Sequence, residues 1–147
     1  MPLSFNLSLP TVRETNGIKC TAPADVATEL ADLRTVAQEC FVIITLDSKN
    51  RIIDKHLVTL GILNASLAHP REVFRAAIMD AAATIILAHN HPSGDPTPSA
   101  EDIRITRQLV EVGKHVDIHV LDHIILGRSK DNSADYISLR ESGMVQF

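Results

Sequence analysis

The segment Ala88-His89-Asn90-His91-Pro92-Ser93-Gly94-Asp95 constrains this chain more than any other stretch. It runs on through Pro96-Thr97-Pro98 to Ser99-Ala100-Glu101-Asp102. It follows the β-branched run Thr84-Ile85-Ile86-Leu87 and precedes a helical apolar pattern from Ile103 to Val112. The order is strand, stiff loop, helix. If extended geometry persists through His91, side chains two residues apart share a face, and His89 and His91 converge. Pro92 ends the ladder because it has no N–H, and it biases His91 toward an extended backbone. Ser99 reads as an N-cap, which places Asp102 in the first helical turn, facing back toward the loop.

Two imidazoles and one carboxylate gathered this way make three ligands with one position left open, the requirement of a catalytic zinc. Such an ion lowers the pKa of water from ~16 to about 7. His-x-His alone is ordinary on a strand face, and Ser-x-x-Asp alone is a capping box. Joined by a turn stiffened with Pro92, Pro96 and Pro98, they favour a metal site at His89, His91 and Asp102.

The 147 residues suffice for one domain with a sizeable core, and 45% of them are apolar, which excludes disorder for most of the chain. There is no Trp and a single Tyr, so stacking platforms for single-stranded nucleic acid are not expected. A formal net charge of −4 likewise disfavours nucleic acid as a partner. Cys20 and Cys40 are too few for a four-cysteine zinc site and read as buried thiols of a reducing cytoplasm. No window approaches the ~20 apolar residues of a membrane span, and the N-terminus has no basic region. A cytoplasmic protein with no membrane partner is expected.

Taken in order, residues 1–22 form an N-terminal arm or short edge strand, and residues 23–147 form the domain. Pro23 opens a helix whose apolar positions recur to about Gln38. Cys40 to Leu46 is a strand buried on both faces, and Asp47-Ser48-Lys49-Asn50 turns it back into a second strand from Arg51 to Leu60. Gly61 to Ala68 is a connection, and Pro70 starts a helix with Val73, Phe74, Ala77 and Ile78 as its apolar stripe. Thr84 to Ala88 is a core strand, and Ser99 to about Lys114 a helix. Val116 to His119 comes next, followed by a separate buried strand from Leu121 to Gly127. Tyr136 to Leu139 is a final short strand.

A metal-activated water needs a base, commonly a glutamate in zinc hydrolases. Two residues qualify. Glu39 stands at the rim of the buried run, and Glu72 lies in a first helical turn where the macrodipole alone explains a carboxylate. The pattern leaves both open. Asp122-His123 inside an apolar run reads first as a His–carboxylate hydrogen bond or as one side chain facing out, and second as support for a metal ligand. His56, His69, His115 and His119 read as surface or turn residues.

Glu39 before an apolar strand, His89-x-His91-Pro92 and Ser99-x-x-Asp102 together resemble the JAMM motif of the MPN (JAB) metalloprotease superfamily. The fuller string His89 to Asp95, with Pro98-Ser99, His69-Pro70-Arg71-Glu72-Val73-Phe74 and Asp122-His123-Ile124-Ile125, resembles the RadC family in particular, over about residues 24–127. The resemblance implies a cytidine-deaminase-like α/β fold, a mixed curved sheet flanked by helices. It also implies zinc on His89, His91 and Asp102, Glu39 as general acid/base, and Ser99 as an aid to the oxyanion. RadC proteins usually carry an N-terminal helix-hairpin-helix region, which a chain of this length is not expected to contain. That weakens the family's association with DNA repair here.

The leading expectation is a zinc metalloprotease or isopeptidase acting on a peptide or protein substrate, with a homodimer allowed. The alternatives are an MPN protein-interaction module that merely holds metal, and a DNA-repair accessory protein. A zinc deaminase is excluded by the absence of Pro-Cys-x-x-Cys, and the large-barrel His-x-His hydrolases need a longer chain.

Overall fold

A computed structural model describes residues 2, 4, 17–62, 68–130 and 135–147. Five strands form one mixed sheet in the order β2-β1-β3-β4-β5. They are β1 (Cys40–Leu46), β2 (Ile52–Leu60), β3 (Thr84–Asn90), β4 (His119–Leu126) and β5 (Tyr136–Ser138). Helices α1 (Pro23–Glu29), α2 (Pro70–Met79) and α3 (Ala100–Val116) flank it. This is the expected mixed α/β architecture, consistent with the JAB/MPN fold.

Every residue of β1 is buried, because the strand lies between β2 and β3 with helices on both faces. The period-2 alternation divides it. Phe41 and Ile43 join Ile85 and Leu87 of β3 beneath Val73, Phe74 and Ala77 of α2 and Ile105 and Leu109 of α3. Val42 and Ile44 face the other way, against Val26, Ala27 and Leu30 of α1. The β1–β2 hairpin closes through Asp47, whose carboxylate accepts the N–H groups of Lys49 (2.8 Å) and Arg51 (2.9 Å). Asn50 supplies the positive φ of 59° that the turn needs. Strand β3 pairs parallel with β4, and α3 makes the crossover between them.

Three expectations are corrected. The helix opened at Pro23 ends at Glu29, and a 3-10 turn from Ala31 to Thr35 replaces the stretch expected to reach Gln38. The carbonyls of Val36 and Gln38 instead accept the side-chain amide of Asn90 at 3.3 and 3.0 Å, which holds this segment in an extended path. Second, Val116 closes α3 and His119 already opens β4, so the residues up to Leu126 form one strand. Asp117 makes the stop in a left-handed conformation (φ 57°), with its N–H on the Gly113 carbonyl. Third, His56 is a strand residue whose Nε2 sits 2.6 Å from the buried Asp80 carboxylate. Of the N-terminal arm, residues 5–16 lie outside the described residues, and Lys19 bridges Arg51 beside β2. The connection at 63–67 also lies outside them. Both cysteines are free and buried. Among the described residues no helix is long and apolar enough to cross a membrane.

Candidate metal centre

His89 is the last but one residue of the buried run of β3, on the same face as Leu87 and Ile85, and is fully buried. Extended geometry does persist: the His91 N–H still bonds the Leu126 carbonyl of β4, at 2.9 Å. The two imidazoles therefore share a face, and their Nε2 atoms stand 2.9 Å apart. The chain then turns sharply at Pro92-Ser93, with Gly94 at φ 93° and its N–H on the His91 carbonyl. Arg128 pins the turn, its backbone N–H bonding the Gly94 carbonyl (2.8 Å) and its guanidinium the Pro92 carbonyl (2.6 Å).

That tight return needs glycine at 127. A Cβ there would collide with the Gly94 carbonyl oxygen and with Cδ of Pro96. Gly127→Ala is expected to push the loop off β4 and to cost about 1–3 kcal/mol of stability. Thermal unfolding reads that loss, and an unchanged melting temperature would show the loop is not clamped there.

Ser99 is the N-cap of α3 and makes a complete capping box with Asp102. The Asp102 N–H donates to Ser99 Oγ at 3.0 Å, and the Ser99 N–H donates to Asp102 Oδ2 at 2.9 Å. The box aims the carboxylate at the histidines, with Oδ1 3.4 Å from His89 Nε2 and Oδ2 3.2 Å from His91 Nε2. Asp102 thus serves the helix cap and the site with one side chain. Burial opposes its ionisation, but the neighbouring His89 and His91 and the hydrogen bond from the Ser99 N–H prevail and hold it far below the usual carboxylate range. The same carboxylate raises His91 above the ordinary histidine value against its partial burial, with the Asp95 carbonyl and the charges of Asp102 and Glu39 adding to the rise.

The donor set fits a metal. His91 Nδ1 lies 2.8 Å from the Asp95 carbonyl oxygen, which can only accept, so the proton of a neutral His91 sits on Nδ1 and Nε2 is bare. A lone pair there faces His89 and a carboxylate, an arrangement that a positive charge between them stabilises. His89 and His91 Nε2 stand 2.9 Å apart, Asp102 meets one of them with each of its two oxygens, and one ligand atom from each of the three residues lies within 4.8 Å of the others, close enough to share one ion.

Glu39 directly precedes β1. The antiparallel register pairs Phe41 with His89, so its continuation opposes Glu39 to His91. The half-buried Glu39 is close enough that its charge raises His91. Asn90 fixes the segment beneath it, its Oδ1 accepting the Cys40 N–H at 2.7 Å. Glu72 is exposed on α2 and lines a cleft with His56, Arg75, Met79 and Asp80.

Asp122 and His123 do not pair through their side chains, since alternation along β4 sends them to opposite faces. Neither faces out, both being at least 93% buried. Asp122 Oδ2 accepts the Ser138 hydroxyl (2.5 Å), and its Oδ1 accepts the N–H groups of His123 and Arg140 at 2.7 and 3.1 Å. It ties the end of the chain to the sheet. Burial raises its pKa, and these hydrogen bonds oppose the rise. His123 lies on the metal side, with Nε2 2.7 Å from His89 Nδ1. Sequence reasoning missed Asn90 and Thr106, although Asn90 between the two histidines was a visible signal.

Fold and site define a JAB-type domain with a His/Asp cluster able to hold a metal ion. Residues 20–144 match the RadC-like JAB domain family, and the chain belongs to that family. A UPF0758 protein of Clostridium perfringens is 48% identical over 135 residues, 91% of this chain and 57% of the relative. One from Methanosarcina mazei is 46% identical over 129 residues, 87% of this chain and 54% of the relative. One from Geobacillus thermodenitrificans is 51% identical over 116 residues, 79% of this chain and 49% of the relative. The chain spans about half the length of the curated relatives it matches.

Proposed function

We propose that this chain is a zinc-dependent metallohydrolase of the JAMM type that cleaves a peptide or isopeptide bond. One observation carries the reading: one acceptor atom each of His89, His91 and Asp102 lies within 4.8 Å of the others, beside the glutamate that the register sets opposite His91. When bound, zinc supplies a Lewis acid for the substrate carbonyl and lowers the pKa of water. His89, His91 and Asp102 hold it. Glu39 takes the proton of the attacking water and returns it to the leaving amine. The Ser99 hydroxyl, whose lone pair already engages the Asp102 N–H, has its proton left to donate to the oxyanion.

The test is a panel of peptides and isopeptide-linked peptides, with DNA substrates alongside, given to the purified zinc-loaded protein. Amide cleavage that a chelator abolishes and zinc restores is expected. Stoichiometric metal with no amide cleaved would instead describe an interaction module. Cleavage of DNA alone would move the reading to nucleic-acid repair.

A further inference from the structure

We infer that Thr106 and His123 act as positioning residues that fix which nitrogen of His89 carries its proton. The inference rests on the metal-centre reading, because its consequence is a bare Nε2 presented to the ion. The chain of hydrogen bonds has only one direction. Thr106 Oγ1 lies 2.6 Å from the Asp102 backbone carbonyl, which can only accept, so the single hydroxyl proton is committed there. Oγ1 also contacts His123 Nδ1 at 2.5 Å and, with its own proton used, must accept. The Nδ1 of His123 is therefore the protonated nitrogen.

His123 is fully buried, and among the described residues its two ring nitrogens meet only Thr106 and His89. Among the described residues no carboxylate hydrogen-bonds the ring to compensate a charge, so it stays neutral and its Nε2 carries a lone pair. That lone pair accepts from His89 Nδ1 at 2.7 Å, so His89 donates there and its own Nε2 is bare. The bare atom is the one that faces His91 and Asp102. The peptide carbonyl of one ligand, Asp102, thus sets the tautomer of another, His89, through two side chains. Outer partners that orient a ligating histidine in this way typically change metal affinity about 10–100-fold.

Thr106→Val keeps the shape and removes the hydroxyl. His123 then loses the acceptor for Nδ1–H, and the Nε2–H form becomes free to donate to His89. That would place a proton on His89 Nε2, inside the site. Thr106→Ser restores the hydroxyl. Side-chain nitrogen NMR of the metal-free full chain, labelled at histidine, reads the tautomers directly and needs no substrate. The expected wild-type spectrum has His89 and His123 both protonated at Nδ1. Chelator competition with zinc is expected to show a loss of about 10–100-fold for Thr106→Val and near-complete rescue by Thr106→Ser. Wild-type His89 protonated at Nε2 overturns the inference, and this measurement stands even if the valine variant does not fold. So does a folded Thr106→Val chain that binds zinc as tightly as wild type. Wild-type protein with the stated tautomers and no zinc uptake would refute the metal-centre reading while leaving the proton order established.

Discussion

His91→Ala removes the bound metal: elemental analysis after zinc loading and desalting is expected to fall from one ion per chain to a small fraction. His89→Ala is expected to do the same. Each deletes one of three ligands, so affinity drops by more than the roughly 10–100-fold that loss of an outer partner costs. His91 is the cleaner position because its ring is only partly buried, whereas His89 is wholly enclosed and its removal also opens a cavity. Melting temperature separates the two effects. Protons compete at the same atoms, so zinc uptake weakens as pH falls. Because Asp102 raises His91, that weakening starts above the ordinary histidine value of ~6.5. Full zinc retention in both variants would end the assignment.

Glu39→Gln is expected to keep the metal and lose the chemistry. Glutamine preserves the size and polarity of the side chain at the end of β1, and the backbone carbonyl of residue 39 still accepts the Gly61 N–H at 2.8 Å. What disappears is the ability to accept a proton. General acid–base catalysis by one positioned group typically contributes ~10²–10⁴ in rate, so turnover of a cleavable amide falls by about that factor. Binding of the uncleaved substrate should change little. An unchanged turnover number would remove Glu39 from the mechanism. The Glu72 alternative has its own control, since Glu72 lies in the cleft with His56 and Asp80 and its replacement by glutamine should leave turnover intact.

Local chemistry determined most of the framework. The apolar run Cys40 to Leu46, the turn residues after it, Pro70 at a helix start and Ser99 at another each impose their element through backbone physics that acts over a few residues. The cluster of His89, His91 and Asp102 was legible for the same reason. A period of two brings His89 and His91 together, and a capping box turns Asp102 back toward them, so neither needs a distant partner to be placed.

Distant pairing decided the rest. Apolar periodicity carried a helix to Gln38, but the amide of Asn90, 52 residues away from Gln38, draws that segment straight. Periodicity counts apolar positions and cannot see a competing hydrogen bond from another strand. The placement of Glu39 and Glu72 was equally closed to pattern: the resemblance favoured Glu39, and the β1–β3 register opposes that residue to His91. Asp122 and His123 looked like a pair in sequence and are separated by the sheet itself. Each side chain finds its partner on a different face: Ser138 for one, His89 and Thr106 for the other. The sequence by itself determined the gathering of His89, His91 and Asp102 and the elements that carry them, because those follow from short-range geometry. Only the tertiary structure decided that Glu39 lies opposite His91 and that His123 and Thr106 stand behind His89, because both depend on which strands and helices lie next to one another.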